Sequence, residues 1–198
     1  MWNVLLRIVR SARKGLDIQH RSFTERFLDD NELVLFNQMA LWDQYHTVNT
    51  AKLILEHFAG TGAGTGTGTG AGTGLDTASG ASIGGGAETK IRLLTLIKAA
   101  LLHDVGKVKG DAGLPTRLCV SFIRRVFPDY RRKHADRGGN KLQYALYVDL
   151  IHPARGAYMA LSTGVCPEIA DLIRRHHDEP QNSDPEELRI LQEADAKS

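Results

Sequence analysis

A histidine and an aspartate stand side by side in Leu102-His103-Asp104-Val105-Gly106-Lys107, and helical spacing puts both where a core should be. Leu93, Leu96, Ile97, Ala100 and Leu101 mark the apolar stripe of the preceding helix. Asp104 continues the line of Ile97 and Ala100, and His103 follows Leu96 by two turns. Gly106 reads as the helix stop. A buried ionised carboxylate costs several kcal/mol unless something compensates it. A metal cation compensates an aspartate and a neutral imidazole together. For one such pair, a helix end that turns to solvent ahead of its glycine is an equally good explanation.

The same event recurs on other segments. After Pro167 the apolar positions Ile169, Leu172 and Ile173 are followed on one helical face by His176 and His177. Asp184-Pro185-Glu186-Glu187 has the form of a helix start, and its stripe runs Leu188, Leu191 and then Asp195. Met39, Trp42, His46, Thr50 and Leu53 share one side of a long helical stretch, which turns His46 inward. His152 precedes Pro153, as at a helix N-terminus, with Ala154, Ala157, Tyr158 and Leu161 after it. A lone inward histidine is usually a satisfied core residue. Five segments each carrying His or Asp to a buried face point instead to a shared metal site. Imidazole and carboxylate without thiolate suit Fe, Mn, Ni, Co or Zn rather than Ca.

The elements that must position these groups are helical throughout. The periodicity predicts helices at about residues 31–58, 89–105, 117–127, 140–150, 153–163, 167–177 and 185–196, and alternating Val-, Ile- and Thr-rich strands are lacking. The fold class expected is all-α, a single-domain helical bundle. With 198 residues, 42% of them hydrophobic, the chain can build one core. Residues 59–87 are Gly- and Thr-rich, with almost no large apolar side chains, and read as a flexible loop within the domain. A phosphate-binding glycine loop would need Gly-Lys-Ser/Thr opening a helix after a strand, which this segment lacks.

Net charge is only +2, so the chain as a whole is not built as a nucleic-acid binder. Arg117, Arg124, Arg125, Arg131, Arg132, Lys133, Arg137 and Lys141 do crowd one region. They could collect a phosphorylated substrate or an RNA backbone, but Asp129 and Asp136 dilute them and a solvated helical face is the simpler reading. Cys119 and Cys166 have no metal-type spacing and suggest no disulfide framework. No run is long and apolar enough to span a bilayer. Residues 1–14 read as an amphipathic helix rather than a secretory signal, so a cytoplasmic setting is expected.

Taken in order, His46, His103-Asp104, His152, His176-His177 and Asp195 resemble the ligand set of the HD superfamily of metal-dependent phosphohydrolases. The Gly106-Lys107 that follows the pair, His152-Pro153 with Gly156, and the double histidine are similar to the branch shared with HD-GYP proteins. The resemblance covers about residues 42–58 and 89–198. It divides the chain into an N-terminal helical extension, 1–40, and an HD domain, 41–198, interrupted by the low-complexity loop.

The resemblance implies two divalent transition-metal ions, Fe or Mn first, with Ni, Co or Zn as alternatives. One would be held by His46, His103, Asp104 and Asp195. The other would be held by His152, His176 and His177, with Asp104 bridging. Two cations roughly 3.5–4 Å apart can hold a hydroxide between them and stabilise both attacking and leaving oxygens at phosphorus. Asp104 and Lys107 are the implied catalytic residues, Lys107 binding a phosphoryl oxygen or the nucleophilic water; Arg155 and Arg174 are weaker candidates for the same anion. Relatives with a third metal carry Glu where this chain has Trp42, so two metals are expected. Asp178-Glu179-Pro180 follows the double histidine in place of Gly-Tyr-Pro, which argues against cyclic di-GMP. Relatives usually continue the last helix farther, which makes Asp195 the least anchored of the set. The implied function is hydrolysis of a phosphomonoester or phosphodiester, with a nucleotide or cyclic dinucleotide as substrate class. A non-catalytic metal- or nucleotide-sensing module and a di-iron oxygenase are the alternatives.

Overall fold

The structure, a computed structural model, describes residues 18–62 and 87–198. Among these the chain is all-α: α1 (Ile18–Phe27), α2 (Asp30–Phe36), α3 (Leu41–Gly62), α4 (Ala87–Leu102), α5 (Leu114–Val126), α6 (Pro128–His134), α7 (Lys141–Ser162), α8 (Pro167–Arg175) and α9 (Glu186–Lys197). The expected amphipathic helix at residues 1–14 lies outside the described residues. So does the glycine-rich loop, except at its two ends, where residues 59–62 and Ala87 are helical.

Helix α4 is the axis of the molecule. Its residues Leu96, Ile97 and Ala99 to Leu102 are fully buried, and it packs against α3, α8, α9 and the first two helices. Complete burial of one such side chain is worth about 1.5–3 kcal/mol, so this continuous apolar run explains why the helix is central. Helix α7 packs against α8 on one side and carries α5 and α6 on the other. A smaller cluster of Val120, Ile123, Ala145 and Leu146 fills the seam between α5 and α7. Leu28, Leu35, Phe36 and Met39 sit in the main core with α4 and α8, so the described part of residues 1–40 is packed into the same body.

Four local expectations are corrected. The helix predicted over 31–58 is two helices, broken at residues 37–40. There Met39 pairs with Val108, and Lys109 donates its backbone N–H to the Gln38 carbonyl at 2.7 Å; a tertiary contact wins over local continuity. The predicted break at Pro153 is absent, and α7 runs through the proline. The short helix α6 was not anticipated. Gly106, read as a helix stop, lies beyond the end of α4 and does not have the positive φ of a left-handed cap, which among the described glycines only Gly110 and Gly164 show. Its requirement is proximity: a Cβ there would lie 2.1 Å from the His152 carbonyl oxygen and 2.9 Å from the Gly156 nitrogen.

Helix starts and cross-ties follow from sequence chemistry. Asp29 with Glu32, and Asn140 with Gln143, form capping boxes that satisfy the free N–H groups opening α2 and α7. Glu32 then takes Lys98 at 2.7 Å and ties α2 to α4. Arg92 reaches Glu187 at 2.5 Å, and Arg175 pairs with the buried Asp184, fixing the approach of α9. Leu188 and Leu191 are fully buried, so α9 is gripped by the core. Asp195 follows Leu191 by one turn on this helix.

Candidate metal centre

The seven candidate ligands come from five places in the chain and converge on one point. His46 stands on α3, His103 and Asp104 on the turn after α4, and His152 in the middle of α7. His176 and His177 follow α8, and Asp195 lies in the last turns of α9. His103, Asp104, His152 and His176 are buried, while His46, His177 and Asp195 form the more open side.

Asp104 is at the hub. Its Oδ1 lies 3.3 Å from His152 Nε2 and 3.9 Å from His176 Nε2. Its Oδ2 lies 3.8 Å from His103 Nε2 and 4.0 Å from His46 Nε2. The two oxygens of one carboxylate thus face two different pairs of histidines. Asp195 closes the rim, with Oδ1 at 2.8 Å from His46 and 3.4 Å from His103, and Oδ2 at 3.6 Å from His177. Three groupings bring ligand atoms within 4.8 Å of one another: His152, His176 and His177; His46, His103 and Asp195; and His103, Asp104 and His176.

The buried rings are aimed by their own backbones. His103 Nδ1 contacts the Ala100 carbonyl at 2.8 Å, His152 Nδ1 that of Asp149 at 2.8 Å, and His176 Nδ1 that of Ile173 at 2.7 Å. Each partner lies three residues back. Ala100 and Ile173 belong to last turns, whose carbonyls run out of helical donors. The Asp149 carbonyl is freed differently: its helical donor would be the nitrogen of Pro153, which has no hydrogen. Pro153 therefore supplies an acceptor for His152 rather than starting a helix. A carbonyl can only accept, so each Nδ1 carries the proton and each Nε2 presents a lone pair to the centre. This is the arrangement by which proteins orient imidazole ligands. His46 takes Ser198 Oγ at 2.8 Å on its Nδ1.

Electrostatics follow from this crowding. Burial pushes His152, helped by the Lys107 charge, down to about 3. Burial and the neighbouring His177 hold His176 well below its ordinary value. Burial also lowers His177, against the pull of Asp195. His103 is raised, because Asp104 and Asp195 outweigh its burial. Burial alone would raise both carboxyls; the charges of Lys107 and His103 keep Asp104 ionised, and the imidazoles of His103, His177 and His46 do the same for Asp195. His103 Nε2 is a buried ring nitrogen without a hydrogen-bond partner, an arrangement that is costly unless a ligand completes it. The donor set and this orphaned nitrogen fit a transition-metal ion.

Lys107 Nζ contacts both oxygens of Asp104, at 2.7 and 2.9 Å. Arg155 and Arg174 are spent elsewhere, on Asp111 at 2.8 Å and on Asp171 at 2.6 Å. A cavity of about 250 Å³ opens beside the centre, with Trp42, His46, Asp104, Lys107 and Arg124 among its walls. Sequence reasoning missed Asp43 and Asp149, and named Arg117 and Arg124 only as members of the basic region. Asp43 precedes His46 by three on the same helix and is buried against Arg117 at 2.6 Å; burial lifts its carboxyl to about 7 despite that arginine. Asp149 holds Arg131 at 2.7 Å. The basic cluster is thus divided: Arg117 and Arg131 are inward ion-pair members, Arg124 faces the cavity, and Arg132 stays on the solvated face with Asp129. The seven-residue spacing of Arg117 and Arg124, which puts them on one face of α5, was the available signal.

An all-α body with a His-Asp pair at the hub of a five-histidine, two-carboxylate centre defines a class, and the chain belongs to it: the model of the HD domain family matches residues 43–198. No curated protein and no solved structure matches the chain. Both cysteines are free and exposed. Among the described residues no helix is long and apolar enough to cross a membrane.

Proposed function

We propose that the protein is a metal-dependent phosphohydrolase that cleaves a phosphomonoester or phosphodiester, with a nucleotide as the leading substrate class. Two divalent transition-metal ions would sit at the centre, one on His46, His103, Asp104 and Asp195, the other on His152, His176 and His177, with Asp104 shared. The observation that carries this reading is the division of Asp104, whose Oδ2 faces His46 and His103 while Oδ1 faces His152 and His176. A metal pair supplies water activation and charge stabilisation at phosphorus.

The chain's own residues do the rest. Ala100, Asp149 and Ile173 hold the rings in one tautomer through their carbonyls. Lys107, on the cavity wall, keeps Asp104 ionised and offers a positive charge to a phosphoryl oxygen. That charge acts most strongly on negative charge that develops in the transition state. A cavity of about 250 Å³ lies just below the usual range for small-molecule sites, roughly 300–1,000 Å³, which favours a single nucleotide or smaller ester over a cyclic dinucleotide. In this reading residues 41–198 are the catalytic unit and 1–40 its extension.

The test is elemental analysis after anaerobic reconstitution with Fe or Mn, followed by a screen of phosphomonoesters, cyclic nucleotides and dinucleotides. About two ions per chain and turnover of a phosphoester are expected. One ion or none counts against the dinuclear centre. Two ions without turnover on any phosphoester would make the protein a metal-sensing module instead.

A further inference from the structure

Arg124 differs from the other cations on the cavity wall in what it is bonded to. Lys107 is paired with Asp104 at 2.7 Å and Arg117 with Asp43 at 2.6 Å. Arg124 lies 3.8 Å from Asp149, a carboxylate already paired with Arg131 at 2.7 Å. Its NH1 instead meets a ring nitrogen, His177 Nε2, at 2.9 Å. A guanidinium has five N–H donors and no acceptor, so His177 must offer it a lone pair. Nε2 is also the nitrogen that faces the centre, 3.6 Å from Asp195 Oδ2. His177 belongs to the cluster with His152 and His176, and a metal ion held there through Nε2 would take that same lone pair.

One lone pair cannot serve an N–H donor and a metal, and the two positive charges repel at such a distance. We propose that Arg124 and a cation on the three-histidine cluster are mutually exclusive partners of His177. We further propose that Arg124, once displaced, turns into the cavity to bind the phosphoryl group of the substrate. One arginine then couples metal loading to anion binding. The neighbouring cations keep carboxylate partners at 2.6–2.7 Å, whereas displacement leaves Arg124 only Asp149, 3.8 Å away and already paired with Arg131, and a guanidinium matches phosphate oxygens in a bidentate fork. This inference rests on the metal-dependent reading above.

The experiment compares wild type, Arg124→Met and Arg124→Lys. The Arg124 side chain is 33% exposed, so neither substitution opens the core. Cobalt(II) uptake, followed by its visible absorption, should tighten about tenfold in one step in Arg124→Met, the scale of losing one competing charged hydrogen bond. Inorganic phosphate should bind the cobalt-loaded Arg124→Met protein about tenfold more weakly, and Arg124→Lys should recover most of that affinity. Cobalt affinity in Arg124→Met equal to or weaker than wild type, or an unchanged phosphate affinity, overturns the proposal while leaving the metal centre standing. Wild-type protein that takes up no cobalt removes the metal-dependent reading and this inference together.

Discussion

Lys107 has two claimants, the carboxylate it touches and, in the proposed reaction, the phosphoryl group of the substrate. Its ammonium sits 2.7 Å from Asp104 Oδ1, and its charge both depresses the Asp104 carboxyl and helps hold His152 at about 3. Removing that charge lets both groups bind protons at higher pH, where the protons compete with metal. Lys107→Met should therefore shift the pH midpoint of cobalt uptake upward, and should lower turnover of the best phosphoester by about a hundredfold at full metal occupancy. An unchanged midpoint and rate would make Lys107 a surface lysine with an incidental contact. Asp104→Ala removes the group shared by both histidine pairs, and should lose both metals rather than one. Elemental analysis showing one retained ion would break the bridging assignment.

The elements are held in register by two glycines where the turn after α4 crosses α7. Gly106 meets backbone, with the His152 carbonyl oxygen 2.1 Å from a Cβ, and backbone cannot rotate away as a side chain can. Gly156 is the other half of the crossing, with Gly106 N at 3.1 Å and Ile173 Cγ2 at 3.3 Å from its Cβ position. Gly106→Ala should cost about 3 kcal/mol or more, a fall of about 6–12 °C in melting temperature for a chain of this size. It should also separate His103-Asp104 from His152 and so weaken metal binding. Gly60→Ala is the control: it lies in α3 with nothing within 4 Å of its Cβ position, and should stabilise by about 0.5 kcal/mol. Thermal melts of the two variants test both statements, and a neutral Gly106→Ala would mean that the crossing yields easily.

For the whole molecule, the buried histidines set a pH dependence whose sign can be worked out. His152, His176 and His177 are lowered from 6.5 in the folded protein, so below about 6.5 the unfolded chain binds more protons. Their contribution is full above that value and declines as the pH falls, for His152 down to about 3. His103 is raised and works the other way, adding stability below 6.5 that is lost above it. The raised Asp43 carboxyl also gains stability as the pH falls from about 7, so three groups oppose two, and the depressed Asp104 and Asp195 carboxyls add a further loss below about 3.9. Metal-stripped protein should therefore lose stability steadily from pH 6.5 to 4 in denaturant melts; a flat profile would contradict the buried neutral rings. Replacing residues 63–86 with a short linker should leave the melting temperature nearly unchanged. That segment has only Leu75 and Ile83 as large apolar residues, and loop closure costs about 0.6 kcal/mol per doubling of length.

The amino-acid sequence by itself determined the helical class and the inward direction of the candidate ligands, because both are matters of local spacing. A stripe such as Ile169, Leu172 and Ile173 must be buried, and whatever follows on that face, here His176 and His177, goes in with it. The order of the His and Asp residues was legible for the same reason, and it was enough to point to the HD family. Packing decided what spacing could not. Gly106 looked like a helix stop and is a point of backbone contact with α7, a distance that no local rule contains. Pro153 looked like a helix start and is an interior proline whose missing N–H frees the carbonyl that orients His152. Arg117 and Arg131 looked like ordinary surface charge and are paired with the buried Asp43 and Asp149. A side chain's period along its own helix is local information, whereas its partner on another helix depends on how the helices are placed. That placement was decided by the apolar surface they bury together.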